Sequence, residues 1–154
     1  FSLFILNSCE NNETIVMHPD FEKNKETAIK FIELHKSEDW KAQAQLVHEE
    51  LDWSPPMYGS ENYGKVEHVE AMKMYQQMFD NITFEADYWL PGVDPETGMN
   101  DGSVRTYGTW TGVHTESGKE FKLKAYHPMA FKDGQIVGGG DYFDFGGFMA
   151  SFQD

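Results

Sequence analysis

At 154 residues, with 40% hydrophobic and 15% aromatic content, the chain is sized for one domain with a substantial core. Its 26 acidic against 12 basic side chains give a net charge of −14, which repels phosphate backbones and anionic membrane surfaces and excludes nucleic acid as an expected partner. The acidic residues are spread along the chain rather than blocked, so the charge reads as a solvated surface.

The single cysteine, Cys9, excludes an intrachain disulfide and a cysteine-based zinc site. It follows an apolar run and the residues Leu6, Asn7 and Ser8, a pattern that resembles the end of a bacterial lipoprotein signal, whose cysteine is lipidated and followed by a polar tether. Residues 1–19 are therefore expected to be a truncated lipoprotein-type signal and linker, with attachment to the bacterial cell envelope, or secretion, through a lipid on Cys9. The alternative is an ordinary apolar arm on a cytoplasmic domain. The apolar stretch is too short to span a membrane.

From Asp20 onward, Ala28, Phe31, Ile32 and His35 fall on one stripe and predict a first helix, broken at Ser37-Glu38-Asp39. "WKAQAQLVHEE" (40–50) predicts a second short helix with Trp40, Ala44 and Val47 on one side, and "LDWSPP" a brief strand stopped by two prolines. The third helix is expected from about Val66 to Phe79, with His68, Ala71, Met72, Tyr75, Met78 and Phe79 as its apolar stripe. Four strands are expected at 82–90, 103–115, 119–131 and 135–145, separated by turn-rich segments. Helices followed by a meander of strands predict an α+β domain over 20–154, three N-terminal helices packed in a curved antiparallel sheet.

The last hairpin can be phased. A three-residue Lys132-Asp133-Gly134 loop sets His127 opposite Gly139 and Asp141 opposite Ala125, so that His127 and Asp141 are diagonal neighbours on the face carrying Met129, Phe131, Val137 and Phe143. A two-residue Asp-Gly turn would place the pair on opposite faces. The run Gly138-Gly139-Gly140 weakens a strand and needs a reason, and on this phasing only Gly139 faces inward.

The region from about Lys25 to Phe148 resembles the nuclear transport factor 2-like superfamily, most nearly its SnoaL-like polyketide cyclase branch, through "KFIELHKSEDW", "LVHEELDWSPP", "ITFEADYW", "GTWTGVHT" and "AFKDGQIVGGGDYFDFGGFM". The resemblance implies a cone-shaped α+β barrel with a pocket at one end, and homodimers through the outer sheet face. It also implies that Asp141, on the last strand, is the base that removes a carbon-bound proton, with His127 beside it. Ala125 and Gly139 stand where the cyclases carry further polar pocket groups. The ketosteroid isomerase branch does not fit, because Phe31, Ser54 and His127 occupy the positions of its tyrosine, its carboxylate base and its second acid.

An aspartate in an apolar pocket is expected to have its pKa raised towards working pH, and a neighbouring histidine to stabilise an enolate or shuttle the proton. Trp53, Tyr58, Met78, Tyr88, Trp110, Met129 and Phe143 are the expected lining for a small apolar or aromatic molecule. The expected function is a small-molecule enzyme of cyclase, isomerase or dehydratase type. The alternatives are a non-catalytic ligand-binding domain, with Asp141 and His127 as a buried structural pair, and an accessory domain whose sheet face serves assembly. The six histidines show no metal-binding spacing, and no cofactor is called for. Asp144 is expected to cap the final turn.

Overall fold

The computed structural model describes residues 16–153, so Cys9 and residues 1–15 of the expected signal and linker lie outside the described residues. Its elements run α1 (Phe21–Lys36), α2 (Trp40–Gln45), β1 (Val47–Ser54), α3 (Lys65–Met78), β2 (Phe79–Val93), β3 (Asn100–His114), β4 (Glu120–Lys132), β5 (Gln135–Gly140) and α4 (Phe145–Ala150). The strands form one sheet in the order β1-β5-β4-β3-β2. It curves around the helices without closing, the open cone of an α+β fold.

Several boundaries differ from the sequence reading; the last strand, for one, ends at Gly140 rather than at 145. The second helix ends at Gln45, and Val47 is a fully buried strand residue rather than part of a helical stripe. The Leu46 carbonyl accepts from the Ile136 amide at 2.8 Å, and pairing with β5 outweighs the helical tendency of "QLVHEE". Because β1 and β5 run parallel, the sheet is mixed rather than wholly antiparallel. The third helix passes directly into β2 at Phe79, whose backbone is already extended.

The hairpin phasing is corrected in register and retained in outcome. Asp133 and Gly134 both have positive φ, 53° and 78°, and form a two-residue turn of the I′ kind. Phe131 pairs with Ile136, but Ala130 pairs with Gly138, so Val137 is an extra residue bulged out of β5. The bulge reverses the change of face that the shorter turn imposes. Met129 now faces Gly139, Tyr126 faces Tyr142, and His127 stands directly across from Asp141. Ile136, not Val137, is the fully buried residue.

The three glycines are explained by crowding. They pair with Asp52, Trp53 and Ser54 of β1 on one side while β4 lies on the other. At Gly139 (φ +152°) an added Cβ would fall on the Pro128 carbonyl oxygen and 2.8 Å from the Trp53 ring. The space is taken by Trp53.

Two apolar clusters make up the core. One joins Phe21, Ala28, Phe31 and Ile32 of α1 to Trp53, Val104, Met129 and Ile136 of the sheet; the other gathers Phe79, Ile82, Phe148 and Phe152. Buried Gln43 ties the helices together, donating to the Phe31 carbonyl at 2.9 Å and accepting from Gln76. Asp144 caps α4 by accepting from the Gly147 amide at 2.9 Å, as expected.

Gly139→Ala is expected to lower stability by about 3 kcal/mol, because a disfavoured φ and two collisions coincide. Gly138→Ala, with negative φ and the nearest atom 3.3 Å away, should cost clearly less. Urea-denaturation midpoints of the two variants test the ranking; equal midpoints would contradict this account.

Candidate active site

A cavity of about 90 Å³ opens where the two apolar clusters meet. That is several times the roughly 10–15 Å³ needed for one water. Its walls come from α1 (Phe31, His35), β1 (Trp53), the loop before α3 (Tyr63), α3 (His68, Met72, Tyr75), the sheet (Ile82, Trp110, Phe121, His127) and the C-terminal segment (Asp141, Phe143, Phe148). Most of this surface is aromatic.

Asp141 and His127 meet on its wall. His127 Nδ1 lies 2.8 Å from Asp141 Oδ1, and the Trp53 indole donates to Asp141 Oδ2 at 3.0 Å. The Trp110 indole donates to His127 Nε2 at 2.9 Å. An indole N–H can only donate, so Nε2 must accept and neutral His127 carries its proton on Nδ1, which donates to Asp141. The pair is recessed but still faces the cavity, with side-chain exposures of 8% for His127 and 18% for Asp141.

The expectation of a raised aspartate pKa is overturned. Burial pushes the Asp141 carboxyl up, but the hydrogen bond and electrostatic pull of His127, the Trp53 indole and the field of His68 together outweigh it. The carboxyl is held below its ordinary value and is ionised at neutral pH. His127 is also constrained, since both ring nitrogens are engaged and neither is free to donate to a substrate oxygen.

Of the expected lining residues, Trp53, Trp110 and Phe143 reach the cavity. The other four do not. Tyr58 is fully exposed on its loop. Met78 packs in the second apolar cluster, while Met129 is sealed in the first. Tyr88 is turned outward because β2 shifts register between Ala86 and Tyr88, so that Trp89 takes the core side.

Four polar residues of the cavity were not singled out as site residues: His35, Tyr63, His68 and Tyr75. Their side chains make no hydrogen bond with any described residue. Burial lowers both His35 and His68 to about 4, with the negative charge of Asp141 opposing it in each case. Burial raises Tyr63 and Tyr75, helped by that same charge. The signal available in the sequence was a histidine inside the apolar stripe of each long helix. Among the described residues no cluster of three or more metal-binding side chains exists; His48 and His114 lie elsewhere, on β1 and at the end of β3.

The geometry can be set beside known structures. No protein-family model matches the sequence, and no curated protein sequence does. Solved structures match closely in shape. A candidate isomerase from Bacillus subtilis superposes with a TM-score of 0.70 at 23% identity, over 82% of this chain and 90% of that one. A candidate SnoaL-like polyketide cyclase from a Jannaschia species gives 0.71 at 12% identity, over 89% and 96%. An epoxide hydrolase of the LEH-like type from Mycobacterium tuberculosis gives 0.65 at 14% identity, over 87% and 92%. The fold is the one these solved structures share, among them proteins described as nuclear transport factor 2-like and SnoaL-like. That fold carries small-molecule enzymes and binders of several kinds, and at these identities the similarity fixes the architecture alone.

The buried histidines make stability pH-dependent. Unfolded, His35 and His68 titrate near 6.5, whereas folded they stay neutral down to about 4. The unfolded state binds the extra protons in that window, so their contribution is fully present above about 6.5 and declines as pH falls towards 4. The slope reaches about 1.4 kcal/mol per pH unit for each histidine. Asp141, with its lowered pKa, acts in the same direction at lower pH. Urea titrations across the window test this, and a flat profile would refute it.

Proposed function

We propose that the protein is a small-molecule enzyme in which Asp141 removes a proton from carbon next to a carbonyl. The observation that supports this is an ionised carboxylate, held by two N–H donors, on the wall of an open aromatic cavity. The C–H electron pair passes into the carbonyl to give an enolate and the proton goes to Asp141. The enolate then takes that proton back from Asp141 at another carbon, attacks a second carbonyl whose C=O π pair takes the proton to become a hydroxyl, or expels a β-hydroxyl that leaves with the proton as water, the outcomes of an isomerase, a cyclase and a dehydratase.

The two hydrogen bonds held by Asp141 narrow the substrate class. A carboxylate stabilised by two donors is a weak base, matched to acidic C–H groups flanked by two carbonyls rather than to simple ketones. His127 then acts as a positioning residue that orients Asp141 and helps to hold it ionised instead of donating to the enolate.

The second reading is a non-catalytic small-ligand-binding domain, favoured by the fact that the Trp110–His127–Asp141–Trp53 chain is internally complete. Exchange of the acidic proton of ethyl 2-oxocyclohexanecarboxylate for deuterium, followed by NMR above the buffer rate, separates the two. The enzyme reading expects catalysed exchange that falls about 10²–10³-fold in Asp141→Asn. Equal rates for the two proteins would remove Asp141 as the base.

We further propose a homodimer through the outer sheet face, where Tyr88, Leu90, Tyr107 and Tyr142 are exposed together and Tyr107 stacks on Tyr126 at 4.5 Å. Light scattering should report a dimer, converted to a monomer by Tyr107→Glu. A monomer at every concentration would rule it out.

A further inference from the structure

His68 occupies an unusual position for a buried polar side chain. It is 4% exposed, and neither Nδ1 nor Nε2 has a hydrogen-bond partner among the described residues. Its ring is held by aromatic neighbours, stacked on Phe31 at 5.9 Å, tilted against Trp53 at 4.5 Å and beside Tyr63 at 5.9 Å. A neutral imidazole has one donor and one acceptor, and burying both unpaired is costly. A structural role would be served equally well by phenylalanine, which stacks without that cost. The ring lines the same cavity as Asp141.

The charge of the cavity limits what can complete these bonds. No Lys or Arg lines it, and Asp141 is ionised, so a carboxylate or phosphate would be desolvated and repelled with no cation to offset the loss. An uncharged molecule has neither difficulty.

We propose that His68 binds the polar head, a carbonyl or hydroxyl oxygen, of an uncharged ligand whose apolar body lies against the aromatic walls. The inference rests on reading the cavity as a small-molecule site, but not on which proton Asp141 moves. In the proposed reaction, His68 would donate to the carbonyl oxygen as it becomes an enolate, the task that His127 cannot perform because its nitrogens are engaged.

The test uses three probes of one shape: acetophenone, ethylbenzene and benzoate. Binding is followed through the indole N–H resonances of Trp53 and Trp110 in the ¹⁵N-labelled protein, and head-group contact through the ring-nitrogen resonances of His68. Acetophenone is expected to bind about tenfold more tightly than ethylbenzene, and benzoate not measurably. The His68 nitrogens should shift with acetophenone only. His68→Phe should bring the two neutral affinities within about twofold and raise the melting temperature of the free protein, since an unpaired polar group is replaced by an apolar ring. His68→Gln, which keeps a donor, should restore part of the preference.

Equal binding of acetophenone and ethylbenzene by the unaltered protein, binding of neither, tight binding of benzoate, or a preference that survives in His68→Phe would each overturn the proposal. A lower melting temperature in His68→Phe with the preference intact would make His68 a packing residue. The His68 resonances of the unaltered protein decide the matter even if a variant fails to fold. Because every reading is of binding, a failure of the deuterium-exchange experiment would leave this result standing, and the reverse also holds.

Discussion

One polar chain holds the site together: the Trp110 indole to His127, His127 to Asp141, and Asp141 back to the Trp53 indole. Its members come from β3, β4, β1 and the residue that follows β5. Each bond is between side chains at the cavity wall, where low polarity strengthens a satisfied bond and penalises a broken one. The chain therefore fixes more than the carboxylate. It sets the tautomer of His127, the orientation of both tryptophans and the position of the C-terminal segment that closes one side of the cavity.

That chain depends on backbone features that a strand would ordinarily avoid. The I′ turn alone would send Asp141 to the wrong face, and the Val137 bulge restores it. Gly139 then lets the Trp53 ring lie where a side chain would be, within reach of Asp141. Bulge, glycine run and tryptophan are thus parts of one solution to placing a carboxylate beside β1.

The pairing of His127 with Asp141 was legible in the sequence because two strands joined at an Asp-Gly turn can hardly avoid bringing those positions near one another. The register was not legible. A two-residue turn with a bulge and a three-residue loop without one put His127 and Asp141 on the same face, though with cross-strand partners shifted by two residues, and a glycine run hides the bulge because it has no side-chain alternation to break. Tyr88 failed for a related reason, since the register shift in β2 inverts the alternation after Ala86. The end of α2 could not be read locally, because Val47 is drawn into the sheet by Ile136, far along the chain. His35 and His68 were visible as members of apolar stripes, but only the folded cavity shows that the nitrogens of His68 meet no partner among the described residues.

The contrast between the two kinds of polar group is informative. In the Trp110–His127–Asp141–Trp53 chain every ring nitrogen and both carboxylate oxygens have partners, whereas neither ring nitrogen of buried His68 has one among the described residues. The charged end of the cavity is complete without a ligand, and the buried imidazole of His68 beside it is not; Gln76 Oε1, outside the cavity lining, is the other buried side-chain atom with no partner among the described residues. A structural ion pair explains the chain but leaves His68 as unrelieved cost. The proposed site, in which Asp141 is held ready and His68 meets an uncharged molecule, accounts for both.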